Sequence, residues 1–215
     1  MTSSFDLQCT ACPRLAGFLL DLREQYPEYH NLPVAPFGDP HARFLIVGLA
    51  PGLHGANATG RPFTGDYAGE LLYDTLYRYG FSNQAMQIER GQTHANDDLR
   101  LRNCRISNAV KCLPPQNKVT TQEVNTCNHF LQHEINALPE NSILLALGGV
   151  AHKAILKACG FKQSAFKFAH NARHELRENL IMYDSYHCSR YNTNTKRLTP
   201  AMFDQVFADI KQELD

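Results

Sequence analysis

The 215-residue chain has no tryptophan, no net charge and no long hydrophobic run. Its 21 basic residues balance 21 acidic ones, so no strong overall field draws it to nucleic acid. No apolar stretch approaches the roughly 20 residues that cross a bilayer. The first residues, MTSSFDLQC, lack the basic and apolar regions of a signal peptide. We therefore expect a cytoplasmic protein that is not associated with membranes.

Charge is nevertheless uneven along the chain. Residues 150–200 carry nine lysines and arginines against three acidic residues, whereas residues 1–100 carry seven against eleven. A basic stretch suits contact with phosphate, although a solvated basic surface explains it equally well.

Nucleotide-binding signatures are also missing, since the chain contains neither GxGxxG nor a GKS or GKT loop. Residues 44–66, FLIVGLAPGLHGANATGRPFTGD, nevertheless indicate a buried strand followed by a glycine-rich loop. Glycines let backbone amides come close to a ligand. The loop ends with an aromatic residue and a carboxylate, Phe63 and Asp66, which suggests a ligand other than a nucleotide cofactor.

The seven cysteines suggest a metal site. An odd number of cysteines without a signal peptide argues against a disulfide framework. Cys9 and Cys12 form a CxxC pair directly before a predicted helix, and Cys112 and Cys127 could complete a four-coordinate site. Spacing alone leaves a redox dithiol, a zinc site and an iron–sulfur site open. Some of these cysteines could equally be small buried hydrophobic residues.

Strand and helix patterns alternate along the chain. Strands are predicted within residues 42–50, 104–112, 141–149 and 178–189, and helices within 11–28, 65–81, 121–137, 150–160 and 198–214. Residues 83–100 are polar and indicate an exposed loop. Alternation of this kind predicts parallel βαβ units, and continuous apolar runs predict a sheet covered on both faces. We expect one α/β domain over residues 1–215, a three-layer α/β/α sandwich with a mostly parallel four-stranded sheet.

Polar and glycine residues follow the predicted strands, where open parallel sheets bind ligands. These residues would meet at one sheet edge: Ala50, Pro51, Gly52, Phe63, Asp66, Asn108, His187 and Ser189. An aromatic ring can stack on a base, an amide can pair with a base edge, and a histidine can donate to a departing oxygen. Each residue also has a structural explanation: a helix cap for Asp66, a turn for Asn108, the core for Phe63 and an exposed strand end for His187. Their convergence favours the functional interpretation.

Three motifs together resemble the uracil-DNA glycosylase superfamily, specifically the family 5 (type B) enzymes. They are GLAPGLHGANATGRPFTGD, NAVKCLPPQNK and SYHCSRYNTNTKRLTPAM, and the resemblance runs through most of the chain from CTACPRL onward. It implies a monomeric DNA-repair glycosylase that flips uracil and other deaminated bases, such as hypoxanthine and xanthine, out of double-stranded DNA. The enzyme would hydrolyse the N-glycosidic bond, leave an abasic site and work on the nucleoid.

The resemblance also implies residue roles. Four residues match ligands of a structural 4Fe–4S cluster: Cys9, Cys12, Cys112 and Cys127. Phe63 matches the aromatic residue that stacks on the base, Asn108 the amide along its edge, and His187 the histidine that stabilises the leaving base. Asp66 falls where the family carries an aspartate proposed to assist catalysis.

Two positions stand out within the resemblance. Ala50 occupies the place of an acidic residue in type A enzymes, which suggests the broader base specificity of type B. Cys188 replaces the proline of the family's usual histidine–proline–serine motif, and we expect it to leave that loop freer.

Competing functions remain at this stage. An iron–sulfur electron-transfer module would need a redox partner but no base pocket. A non-catalytic zinc protein that binds nucleic acid would be colourless and release no product. A Rossmann-type nucleotide domain is the weakest alternative, because the glycine loop lacks its fingerprint.

Overall fold

The computed structural model describes residues 5–86, 88–89, 92–93 and 97–215. Its helices are α1 (Pro13–Gln25), α2 (Ala56–Thr59), α3 (Tyr67–Arg78), α4 (Thr121–Asn136), α5 (Gly149–Ala158), α6 (Arg190–Asn194) and α7 (Pro200–Leu214). Its strands are β1 (Phe37–Gly38), β2 (Phe44–Gly48), β3 (Ile88–Glu89), β4 (Gln92–Thr93), β5 (Cys104–Asn108), β6 (Ser142–Leu147), β7 (Arg173–Arg177) and β8 (Leu180–Ser185). The long helices and the four apolar strands are thus confirmed, with shorter bounds than the sequence indicated.

The main sheet has six strands in the order β1-β5-β2-β6-β8-β7, so the expected count of four was wrong. The four predicted strands form its parallel centre, and β1 and β7 add an antiparallel strand at each edge. The sequence hid both edges because β1 has two residues and β7 reads RHELR. Edge strands often carry charge in this way.

Helices cover both faces of the sheet, as the continuous apolar runs predicted. Alternate strand residues pack against α3 and α7 on one face, and the intervening ones pack against α4 and α5 on the other. Leu15, Leu19 and Leu22 of α1 pack beside α4 and the segment after β5. The α/β/α sandwich is therefore confirmed.

Local signals fix where the helices start. Asp66 caps α3 by accepting a hydrogen bond from the Gly69 amide at 3.0 Å. Thr120 and Glu123 form a reciprocal capping box at the start of α4. Pro13 and Pro200 occupy the first turns of α1 and α7.

The expected irregular segment, residues 83–100, is only partly described. Strands β3 and β4 pair antiparallel within it, so it is not wholly irregular. Residues 87, 90, 91 and 94–96 lie outside the described residues. Among the helices that the structure does describe, none has the length and apolar character needed to cross a membrane.

Candidate active site and cysteine cluster

A cavity opens at the carboxyl edge of the parallel sheet, where β2 and β5 end side by side with Gly48 paired to Asn108. The residues lining it are Ala50, Gly52, Ala56, Phe63, Thr64, Asp66, Ala68, Asn108 and His187. Six of the eight predicted edge residues therefore meet in one place.

Phe63 and His187 form one wall of this cavity. Their rings stack with centroids 5.8 Å apart and planes inclined by 23°. They come from loops 124 residues apart in sequence, so only the folded sheet brings them together. The parallel pair presents a flat aromatic surface that suits a planar heterocycle.

Phe63 sits in an unusual backbone conformation, with φ of 57° in the left-handed region. Gly48 makes room for its ring, because a Cβ there would lie 2.6 Å from Phe63 Cζ and 2.5 Å from Asn108 Oδ1. On the other side, the Tyr73 hydroxyl donates to the Pro62 carbonyl at 2.8 Å. The ring is thus placed by its neighbours and not by local preference.

A buried ion pair anchors the same loop. The Arg61 guanidinium donates to both carboxylate oxygens of Asp97, at 2.7 and 2.9 Å. It also lies over the rings of Phe37 and Tyr73, 5.0 and 5.9 Å from their centroids. Arg61 lowers the pKa of the Asp97 carboxyl. The loop that carries Phe63 is therefore held by a bidentate charged contact inside the protein.

Asp66 combines a structural role with a place in the cavity. Its Oδ1 caps α3, while its Oδ2 is the nearest atom, at 3.8 Å, to the position of a Cβ on Gly52. One oxygen is engaged by the helix and the other faces the glycine loop. Capping and lining the cavity are thus compatible in one side chain.

The environment of His187 favours its neutral form. Burial lowers the pKa of His187 below its usual 6.5, and the negative charge of Asp66 partly opposes that shift. The Asn192 side chain donates to the His187 carbonyl at 2.8 Å, which fixes the loop backbone. A neutral imidazole at this position can donate one N–H into the cavity.

Two predicted residues do not line the cavity. Pro51 is buried in the loop behind it. Ser189 caps α6 by accepting from the Asn192 amide at 3.4 Å. Cys188, between His187 and Ser189, is fully buried, and its thiol donates to the Ala68 carbonyl at 3.4 Å. Burial raises the Cys188 pKa, so the thiol stays protonated and ties the loop to α3.

Some lining residues were not indicated by the sequence patterns. Thr64 and Ala68 line the cavity, yet neither carries chemistry that marks it in isolation. Thr64 lies within the GRPFTGD motif and Ala68 lies two residues after Asp66, so closeness to that motif was the available signal. The space-making role of Gly48 requires knowledge of the Phe63 ring and had no local signal.

The four predicted metal ligands line a second cavity, between the start of α1, the segment after β5, and α4. They are Cys9, Cys12, Cys112 and Cys127. Burial, with a smaller contribution from the charges on the other cysteines, raises the pKa of Cys112 to about 12 and that of Cys127 to about 11. The Lys111 amide donates to the Cys127 sulfur at 3.4 Å.

The spacing of these thiols is informative. Among the residues that the structure describes, no three of these cysteines form a group that could hold a single metal ion. Four sulfurs around one tetrahedral zinc would be about 3.8 Å apart, because each Zn–S bond is about 2.3 Å. The arrangement is wider than a single zinc ion requires.

A buried lysine joins the two cavities. Lys111, 1% exposed, pairs with Glu134 at 2.7 Å and donates to the Ser107 hydroxyl. Ser107 in turn donates to Glu134 at 2.6 Å and directly precedes Asn108. This polar network lies between the cysteine cluster and the cavity wall formed by Asn108.

Comparison with known proteins gives a consistent picture. Residues 35–211 match the model of a family described as the uracil DNA glycosylase superfamily. The chain is 40% identical over 209 residues to a type-5 uracil-DNA glycosylase of Thermus thermophilus, covering 95% of this chain and 93% of the relative. It is 38% identical over 206 residues to a type-5 enzyme of Pyrobaculum aerophilum, covering 93% and 86%. A type-4 enzyme of the same organism is 34% identical over 134 residues, which are 62% of this chain and 58% of the relative.

Proposed function

Because this chain belongs to the uracil DNA glycosylase superfamily, we propose that it removes uracil from DNA by hydrolysing the N-glycosidic bond. The product is an abasic site, which begins base excision repair. One observation carries the proposal: an aromatic ring, an amide, a carboxylate and a neutral histidine all line one cavity at the carboxyl edge of the sheet. Membership of the superfamily alone does not say what each of these residues does.

Substrate binding follows from the shape of the cavity. A base inside a duplex cannot reach it, so the target nucleotide flips out of the stack at a cost of a few kcal/mol. Mispaired bases, such as uracil opposite guanine, leave the stack at lower cost. Phe63 stacks on the extruded ring, a contact worth roughly 1–3 kcal/mol. Asn108 pairs with the base edge, and the loop around Gly52 lets backbone amides approach it.

The chemical step separates charge. As the glycosidic bond breaks, its electron pair leaves with the base, and the sugar becomes cationic. Neutral His187 donates its N–H to the oxygen on which negative charge develops. The Asp66 carboxylate stabilises the cationic sugar or orients the attacking water. The water oxygen bonds to the sugar carbon, and the proton that it loses balances the proton that the base gains.

Specificity for deaminated purines is part of the proposal. Ala50 presents only a methyl group to the cavity, where an acidic side chain would repel or exclude the edge of a larger base. We therefore expect hypoxanthine or xanthine to be released as well as uracil. The substrate is double-stranded DNA, and the enzyme works as a monomer on nucleoid DNA in the cytoplasm.

The cysteine cavity fits a 4Fe–4S cluster better than a zinc ion. Its four thiols line a single space but stand too far apart for one tetrahedral metal. Cys9, Cys12, Cys112 and Cys127 would hold the cluster. When bound, the cluster would cross-link the N-terminal segment to α4, and hydrolysis itself needs no electron transfer. Cys9→Ser should lower thermal stability and iron content before it changes the excision rate of the folded fraction.

The test of activity is base release from duplexes that each contain one uracil, hypoxanthine or xanthine, measured by alkaline cleavage at the abasic site. Release of uracil and at least one deaminated purine supports the proposal. Release of uracil alone would mean that Ala50 does not broaden specificity. No release by folded, brown protein would contradict the enzymatic function and favour electron transfer or simple nucleic-acid binding.

Variants separate the residue roles. His187→Ala should slow single-turnover excision about 100- to 1,000-fold, the usual loss for one such donor. Asp66→Asn keeps a good helix cap while removing the charge, so its rate should fall with little change in thermal unfolding. The exposed His41→Ala is the matched control and should excise at the normal rate. Normal rates for both pocket variants would contradict the assigned roles.

A further inference from the structure

A third polar cluster lies apart from both cavities. His152 of α5, His174 of β7 and Asp184 of β8 bring three possible ligand atoms within 4.8 Å of one another. It is the one such group among residues 5–86, 88–89, 92–93 and 97–215. The side chains are 2%, 12% and 0% exposed, respectively. Buried polar groups of this kind need full pairing.

A neutral imidazole ring cannot satisfy both hydrogen-bond contacts of the His152 nitrogens. Its Nδ1 lies 2.8 Å from Asp184 Oδ1, and its Nε2 lies 3.1 Å from the Phe166 carbonyl oxygen. Both neighbours only accept hydrogen bonds, whereas a neutral imidazole has a single N–H. Either an additional proton lies on this pair of side chains, or a cation occupies the side of the ring facing Asp184.

A bound metal satisfies every group at once. A metal at Nδ1 leaves the Nε2–H free to donate to the Phe166 carbonyl, the arrangement usual for metal-bound histidines. His174 Nε2 lies 3.0 Å from Asp184 Oδ2, so it faces the same carboxylate from the other side. Two imidazoles and one carboxylate form a donor set typical of zinc.

We propose that His152, His174 and Asp184 bind a divalent cation of the zinc class. Ligand atoms about 2.1 Å from a tetrahedral zinc lie about 3.4 Å apart. The two nitrogen–oxygen separations, 2.8 and 3.0 Å, would open by about half an ångström, and the two imidazole nitrogens already lie within 4.8 Å of each other. A water molecule fills the fourth position. The site is independent of the cysteine cavity and of the proposed activity.

The place of the site in the fold indicates a structural role. It joins α5 to the edge strand β7 and to β8, and Asp184 stands three residues before His187 on the same strand end. The Phe166 carbonyl, which contacts His152, lies in the long connection between α5 and β7, so the site also anchors that connection. A metal here would hold the strand that delivers His187 to the active site.

Elemental analysis of the purified full-length protein tests the site. After incubation with zinc and removal of free metal, we expect about one zinc per chain in the wild type. His174→Asn and Asp184→Asn should lose that zinc, while their iron and sulfide contents stay unchanged. His133→Asn, on the outer end of α4, is the matched control and should keep it.

A second measurement guards against misfolded variants. Added zinc should raise the thermal unfolding midpoint of the wild type but not of His174→Asn, and a chelator should reverse the rise. Cys9→Ser separates the two metal sites, since it should lose iron and keep zinc. A wild type that takes up no zinc, or that shows the same zinc content and thermal response as His174→Asn, would overturn the proposal.

Discussion

Replacing Gly48 with alanine should damage the active site while leaving the fold intact. The φ angle of Gly48 lies outside the left-handed region, so alanine is compatible with its backbone. The new methyl group would nevertheless stand 2.5 Å from Asn108 Oδ1 and 2.6 Å from Phe63 Cζ. Carbon atoms rarely approach more closely than about 3.4 Å, so the Phe63 ring must retreat by about 0.8 Å.

That displacement has a cost in rate and a smaller cost in stability. Misplacing a positioning group by about 1 Å can slow an enzyme about 100-fold. Overpacking of this size typically lowers the free energy of unfolding by about 1–3 kcal/mol. Because Phe63 is already held by its loop, both it and Asn108 have little freedom to adjust. We therefore expect a large fall in the single-turnover rate constant and a modest shift in thermal unfolding.

The assay is single-turnover excision of uracil from a duplex, with thermal unfolding measured in parallel. Gly149→Ala is the matched control, because it follows the neighbouring strand β6 and its added Cβ meets no atom within 4 Å. This control should excise normally. A Gly48→Ala enzyme with a normal rate would refute the idea that Phe63 and Asn108 form the base pocket.

Three further predictions concern buried charges. Asp97→Ala should lower the free energy of unfolding by about 3 kcal/mol at neutral pH, because it removes the buried carboxylate that accepts two hydrogen bonds from the Arg61 guanidinium. Because Arg61 lowers the Asp97 pKa, the loss of unfolding free energy should be complete above pH 3.8, the unfolded-state pKa, and should vanish as the pH falls through the lower pKa of the folded state. Urea titrations that show the same difference at every pH would contradict this prediction. Lys111→Met should lower the free energy of unfolding by about 3 kcal/mol, and adding Glu134→Leu should restore most of that loss in the same urea assay. A double variant no more stable than Lys111→Met would contradict this account of the network. As the pH falls, the excision rate should reach half of its plateau value only below pH 6.5, because burial lowers the pKa of His187; a half-maximal point above pH 6.5 would be evidence against the neutral donor.

Local patterns predicted much of the fold because the relevant signals are local. The apolar runs of β2 and β6 and the Asp66 cap each depend on a few consecutive residues. The two edge strands were missed for the opposite reason. β7 exists through its pairing with β8, and its charged residues give no periodic apolar signal.

The active site was predictable to the extent that topology decides it. Parallel strands end at the same edge of the sheet, so Asn108 and His187 lie near the glycine loop whatever the direction of their side chains. The direction of the side chains could not be predicted from the sequence. Ser189 points into a helix cap and not into the cavity, and the His152–Asp184 contact joins elements that no short motif links.

The left-handed backbone conformation of Phe63 lowers the stability of the fold while it places the ring in the proposed base pocket. A bulky residue in that conformation costs roughly 1–2 kcal/mol, which glycine would largely avoid. A library selected only for heat resistance should therefore accumulate glycine or asparagine at position 63, and sequencing the survivors would show it. Phenylalanine at position 63 is then explained by the ring that it contributes to the proposed base pocket and not by the stability of the loop.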